Sequence, residues 1–153
     1  MNNEKSSDVL NTLIQINNDR IEGYERASKE TDDSDLQNLF SDLIETSEQC
    51  RAELAEEVER LGGTPVEGTK TSGKFFRAWM EVKAALTGND RQGILNSCEF
   101  GEDAALDTYR KAMQNDDDDL GVEQRNIIAA QYELIKADHD KIKSLRDNFV
   151  EHA

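Results

Sequence analysis

The side chains best suited to metal chemistry in this sequence are two histidines and many carboxylates. A di-iron or di-manganese centre in a helical bundle needs one Glu from each of two helices and a Glu-x-x-His motif from each of the other two. Lys136 stands three residues before His139, and Phe149 stands three residues before His152. On the second predicted helix, Glu48 is followed three residues later by Arg51, where the motif would need histidine. Because the sequence has no Glu-x-x-His, we expect neither a full di-iron site nor ferroxidase activity.

A smaller metal site would need fewer ligands. Glu102 and His139 are both predicted to point inward, and Cys98 or Cys50 could add a thiolate to make a zinc-like set. Alternatively, Glu102 and His139 form a satisfied buried polar pair, and the two cysteines are reduced thiols that pack as small hydrophobic residues. We favour this second interpretation, without a cofactor, and keep a single transition-metal ion as the alternative.

Four polar side chains are predicted to share one level of the folded chain: Arg20, Ser47, Glu102 and His139. Their levels follow from counting residues along each helix at a rise of about 1.5 Å per residue. An inward arginine needs a carboxylate and an inward carboxylate needs donors, because either group alone is costly to bury. We therefore predict a buried polar layer in which Arg20 and Glu102 form an ion pair and His139 and Ser47 complete the hydrogen bonds.

The elements that must position these residues are four segments with helical periodicity. Apolar residues recur at three- and four-residue steps over about 8–30, 34–61, 90–114 and 122–149. The second segment begins with Ser34, and Gln37 three residues later predicts a capping box. On the fourth segment His139 is in register with the apolar stripe. Asp138 and Asp140 on either side of it are therefore expected to be solvated.

The lengths of the connections predict the topology. Short turns join the first two and the last two helices, so each pair forms an antiparallel hairpin. The long segment at about 62–89 connects the pairs and can travel the length of a bundle. Two hairpins joined by one long crossover is the ferritin-like arrangement. We predict an all-α, ferritin-like four-helix bundle that forms a single domain over 1–153.

The crossover itself is predicted to carry a short amphipathic helix at about 74–87. This helix most simply closes the flank of the bundle. Its aromatic residues and methionine could instead form a homodimer surface, because such side chains are typical interface anchors. The residues of this alternative surface are Phe75, Phe76, Trp79 and Met80.

The charge of the chain excludes several classes of partner. Eighteen Lys and Arg residues stand against 33 Asp and Glu, which gives a net charge of −15. Nucleic acids and anionic membranes both require a cationic face, so we expect neither as a partner. No apolar run reaches the length of a membrane helix, and the first residues lack the apolar region of a signal peptide. We therefore expect a cytoplasmic location.

Five stretches of the sequence are distinctive: IEGYERA (21–27), LGGTPVEGT (61–69), RAWMEVKAALTG (77–88), CEFGEDAALDTYRKA (98–112) and ADHDKI (137–142). Together they resemble a bacterial ferritin-like four-helix-bundle family, the domain of unknown function 2383. The resemblance implies a ferritin-like bundle and brings no established activity. We expect a non-catalytic bundle with a structural, stress-associated or protein-interaction role. A metal-binding or redox protein that uses the inward Glu/His pair is the alternative.

Overall fold

The computed structural model describes residues 3–67, 91–114 and 120–151. Within these ranges the chain forms four long helices and no strand. They are α1 (Asn3–Glu30), α2 (Ser34–Arg60), α3 (Arg91–Met113) and α4 (Val122–Glu151). The prediction of an all-α four-helix bundle is therefore confirmed. The predicted helix at about 74–87 lies outside the described residues, as do Phe75, Phe76, Trp79 and Met80.

The helices pack as two pairs, α1 with α2 and α3 with α4. Side-chain contacts that join the two pairs are Asn17–Tyr109, Arg20–Glu102, Asp42–Lys141 and Glu57–Gln124. From residue 17 to residue 20 of α1 the contacted residue of α3 changes from 109 to 102, and from residue 42 to residue 57 of α2 the contacted residue of α4 changes from 141 to 124. Consequently α1 is antiparallel to α3, and α2 is antiparallel to α4. Since α1 and α2 form a hairpin, α2 and α3 run in the same direction, as two hairpins joined by a long crossover require.

The start of α2 is fixed by Asp33 rather than by Ser34. Asp33 has an extended backbone, and its carboxylate accepts from the backbone N–H groups of Asp35 (2.9 Å) and Leu36 (3.3 Å). This is the usual position of an N-cap side chain, which satisfies backbone donors of the first turn. The predicted capping box of Ser34 and Gln37 is therefore wrong by one residue, although the helix begins where it was expected.

The end of α2 follows the Schellman pattern. Gly62 adopts φ 85°, a left-handed conformation in which a side chain would be strained. Its N–H donates to the carbonyl of Glu59, and the N–H of Gly63 donates to the carbonyl of Val58. A Cβ at Gly63 would lie 2.7 Å from the hydroxyl oxygen of Ser7. The two glycines thus end the helix and allow it to pack closely against the start of α1.

The apolar interior consists of two clusters, one towards each end of the bundle. The first cluster includes Leu10, Leu13, Ile14, Leu54, Val58, Leu106, Tyr109, Ile128 and Ile135. The second includes Tyr24, Leu36, Phe40, Leu43, Ile94, Leu95, Cys98 and Ile142. Arg20, Ser47, Glu102 and Asp138 lie between the two sets, one on each helix. A polar level therefore crosses the middle of the core.

Candidate functional site

The guanidinium of Arg20 contacts a side chain from each of the other three helices. Its Nη2 lies 2.8 Å from Oε1 of Glu102 on α3, and its Nε donates to the same oxygen at 3.2 Å. Its Nη1 donates to the hydroxyl of Ser47 on α2, and Nη2 lies 3.4 Å from Oδ2 of Asp138 on α4. Tyr24, one turn along α1, also joins the group. We call these five residues the central polar layer.

Two residues donate hydrogen bonds to one carboxylate oxygen of Glu102. Oε1 accepts from Arg20 and from the hydroxyl of Tyr24, which lies 2.8 Å away. Burial and the negative charge of Glu102 raise the pKa of Tyr24, so its hydroxyl stays protonated and can donate. Burial alone would lower the pKa of Arg20, but the combined effect of Glu102, Tyr24 and Asp138 outweighs it and the pKa is raised. The carboxylate therefore has a permanent cation beside it.

Asp138 lies inside the bundle, and the prediction that it is solvated is wrong. Its side chain is 14% exposed, whereas that of Asp140 is 63% exposed, as expected. Asp138 stands three residues after Ile135 and four before Ile142, and both isoleucines are fully buried. Burial raises the pKa of Asp138, and the neighbouring Glu102 raises it further against the opposing effect of Arg20. Asp138 thus takes the place in the layer that the sequence assigned to its neighbour.

His139 lies outside the central polar layer. Its Nε2 is 2.8 Å from Oδ1 of Asp103 and 3.7 Å from Oε1 of Glu99, both on α3. Its Nδ1 is 3.3 Å from Oδ1 of Asp140. Of the four residues predicted to form the layer, the structure brings together Arg20, Ser47 and Glu102. His139 lies one residue after Asp138, so its side chain points about 100° away from the layer around the axis of α4.

Among the described residues, one group brings three potential metal ligands of different residues together. The ligand atoms of Glu99, Asp103 and His139 all lie within 4.8 Å of one another. The predicted zinc-like combination of Glu102, His139 and Cys98 is not assembled, because Glu102 faces Arg20. The sequence contained a signal for the observed group, an acidic pair four residues apart on α3. The rotation of α3 about its own axis decides which of its flanks faces α4. The hydrophobic periodicity of the sequence did not predict that rotation closely enough to bring Glu99 and Asp103 next to His139.

Both cysteines are free and buried. Burial raises the pKa of the Cys50 thiol to about 11. Burial and the charge of Glu102 raise the pKa of Cys98 as well. Because the thiolate is the form that binds metal or attacks disulfides, neither residue is poised for redox or metal chemistry at neutral pH.

A second hydrogen-bond network joins all four helices one to two turns away from the central polar layer. The amide of Asn17 donates to the hydroxyl of Tyr109 (2.8 Å), which donates to the side-chain oxygen of Gln131 (2.7 Å). The amide of Gln131 then donates to the carbonyl of Cys50 and to the carboxylate of Glu53. Gln131 was not predicted to be part of the core, because the apolar stripe of α4 is defined by its hydrophobic residues.

The central polar layer does not fit a di-iron or di-manganese centre. Such a centre takes four carboxylates and two imidazoles from the four helices. This layer has two carboxylates, Glu102 and Asp138, and the remaining helices contribute Ser47 and Arg20. Arginine donates hydrogen bonds and cannot act as a ligand, since it stays protonated. The chemistry of this donor set is that of a hydrogen-bonded ion pair.

A family model described as "Domain of unknown function (DUF2383)" matches residues 5–115. The matched part contains α1, α2 and α3, and with them Arg20, Ser47 and Glu102. It ends before α4, which carries Asp138 and His139. A comparison with curated proteins gives no match. None of the described helices has the length and apolar character that a membrane span requires.

Proposed function

Because the chain belongs to the domain of unknown function 2383 (DUF2383) family, we propose its role from the geometry of its interior. The protein is a non-catalytic helical bundle with a structural, stress-associated or protein-interaction role and no cofactor in its core. One observation carries this proposal: the fully buried guanidinium of Arg20 is bound to Glu102 at the centre of the bundle.

The position of Arg20 supports a core closed to metal chemistry. A divalent cation near Glu102 would lie within a few ångströms of the guanidinium, and two unit charges about 4 Å apart already repel by about 4 kcal/mol near a protein surface. Arg20 could make room only by breaking its contacts with Ser47, Glu102 and Asp138.

We further propose that the bundle is ferritin-like and that its location is cytoplasmic. The ferritin-like topology is supported by the parallel directions of α2 and α3, which are antiparallel to α1 and α4. A reducing compartment is supported by the two free, buried cysteines.

Anaerobic loading with Fe²⁺ followed by exposure to oxygen tests the non-catalytic proposal. We expect the full chain to form ferric products, measured by near-ultraviolet absorbance, no faster than a protein-free solution. Oxidation faster than this background would contradict the proposal. The variants Glu102→Gln and Asp103→Asn would then locate the activity, because the first alters the core and the second alters the face between α3 and α4.

A further inference from the structure

The face between α3 and α4 carries a group of side chains that the proposed function does not use. Glu99 and Asp103 are four residues apart, so both lie on one side of α3. His139 reaches them from α4, with Nε2 2.8 Å from Asp103 and 3.7 Å from Glu99. Two ligands bound at about 2.1 Å to one ion lie roughly 3–3.4 Å apart. The observed separations bracket that value.

The surroundings of the imidazole favour Nε2 as a ligand atom. Nδ1 faces the carboxylate of Asp140 at 3.3 Å. A proton on Nδ1 donated to this carboxylate leaves a lone pair on Nε2, the ring nitrogen near Asp103 and Glu99, and metal-binding histidines commonly have a partner on the other nitrogen in this way. Nε2 is itself buried and makes no hydrogen bond of acceptable geometry. A nitrogen lone pair facing two carboxylates is repelled by them unless a proton or a metal ion lies between.

Glu99 is oriented by a contact on its other oxygen. Its Oε2 accepts from Arg146 on α4, and Oε1 is the oxygen nearer to His139. Such an outer hydrogen bond fixes a carboxylate ligand without occupying its binding oxygen. The side chains of Glu99 and His139 are 19% and 16% exposed, whereas Asp103 is 58% exposed. The site is therefore open on one side, where water could complete the coordination of an ion.

From this geometry we propose that Glu99, Asp103 and His139 bind one divalent first-row transition-metal ion. An imidazole with two carboxylates suits Zn²⁺, Mn²⁺, Fe²⁺ or Co²⁺, whereas Mg²⁺ and Ca²⁺ prefer oxygen ligands alone. The site is separate from the central polar layer, so its existence does not depend on the proposal that the core is free of metal.

Calorimetric titration of the chelator-treated full chain with Zn²⁺ tests the site. We expect one ion per chain, with affinity reduced at least about tenfold in His139→Ala and in Asp103→Asn. The matched control is Asp107→Asn, which removes a carboxylate one turn further along α3 and should leave the affinity unchanged. Glu102→Gln should also leave it unchanged, which separates this site from the core. Co²⁺ should give a visible absorption spectrum that His139→Ala abolishes.

Two results would overturn the proposal. One is a wild-type chain that binds no Zn²⁺ at about 100 μM free ion, a concentration that detects even weak sites. The other is equal Zn²⁺ affinity in the wild type, His139→Ala and Asp103→Asn. If His139→Ala loses helical circular dichroism, His139→Gln serves in its place, since it keeps a polar side chain of similar reach. A protonated imidazole paired with Asp103 gives the first of these results.

Discussion

Replacing one member of the buried ion pair between Arg20 and Glu102 should lower the free energy of unfolding much more than replacing both. We expect Glu102→Ala to lower the free energy of unfolding by about 3–5 kcal/mol, because it leaves a guanidinium buried without its carboxylate. The double variant Arg20→Met/Glu102→Leu removes both charges of this pair and leaves only the partly exposed Asp138, so it should be less destabilised than Glu102→Ala. Equilibrium denaturation in urea measures each value.

A solvent-exposed ion pair provides the matched control. Glu22 and Arg26 lie four residues apart on α1, with 2.6 Å between their charged atoms and side chains 46% and 61% exposed. Glu22→Ala should lower the free energy of unfolding by no more than about 0.5 kcal/mol. A loss in Glu102→Ala as small as that in Glu22→Ala would show that the layer rearranges and solvates the guanidinium.

The two buried thiols should make the protein less stable at alkaline pH. Burial raises the pKa of Cys50 to about 11 and also raises that of Cys98, whereas thiols of an unfolded chain ionise near about pH 8.5. Protons therefore leave the unfolded chain first as the pH rises. The free energy of unfolding should fall from about pH 8.5 towards about pH 11, where Cys50 ionises in the folded chain, by up to about 1.4 kcal/mol per pH unit for each thiol.

The slope of stability against pH, rather than stability itself, tests this effect. Cys98→Ala should give a shallower decline than the wild type over the alkaline range, whatever its stability at neutral pH. Urea denaturation at three pH values for each protein measures the two slopes. Parallel declines would mean that the Cys98 thiol ionises equally readily in the folded and unfolded chain.

At residue scale, the sequence predicted which helix level would be polar but not every residue that faces inward. Arg20, Ser47 and Glu102 follow from periodicity and a constant rise per residue. On α4, Ile135 and Ile142 both face the core and are seven residues apart. The inward residue between them can therefore lie three or four residues after Ile135. The register predicted from sequence uses the four-residue step, which places His139 inward. The structure uses the three-residue step, because a buried guanidinium makes an inward Asp138 favourable.

At the scale of the helices, the interior positions of each element were predicted better than its ends. The expected limits of α2 differ from the observed ones by at most one residue, because the apolar stripe fills the helix and glycines follow it. α1 begins at Asn3, five residues before the expected start. Its first turns contain Ser6 and Ser7, which are buried although polar. Small side chains let the end of α2 approach, and hydropathy patterns do not register such packing.

The N-cap of α2 gives a prediction at this scale. Asp33→Ala should lower the free energy of unfolding by about 1 kcal/mol, because two backbone donors of the first turn lose their acceptor. Ser34→Ala is the neighbouring control and should have almost no effect, since alanine is well tolerated in the first turn of a helix. Thermal and urea unfolding of both variants measure the difference. A larger loss in Ser34→Ala would show that the serine caps the helix after all.

At the scale of the whole molecule, polar networks connect the two hairpins through the middle of the bundle. The central polar layer and the network around Tyr109 each contain groups from all four helices. Apolar packing alone would tolerate a shift of one hairpin along the other by a turn. Such a shift would separate Arg20 from Glu102 and leave both charges buried and unpaired. The networks therefore select one register, a role that buried polar groups have in other helical assemblies.

The net charge of −15 should make stability depend on salt. Acidic self-repulsion opposes the compact state, and raising NaCl from about 0.02 M to 0.5 M shortens the screening length from over 20 Å to about 4 Å. We expect the melting temperature, followed by circular dichroism, to rise by several degrees. Arg20 and Glu102 are fully buried, so salt screens their attraction far less than it screens the surface repulsion.

A variant in which the four aspartates at 116–119 are replaced by asparagine provides the control. Because it carries four fewer negative charges, its melting temperature should be higher than that of the wild type at low salt and should rise less as salt is added. A wild-type melting temperature that is flat or falls with salt would mean that local ion pairs already compensate the acidic surface. The same rise in both proteins would mean that salt acts by a route other than charge screening.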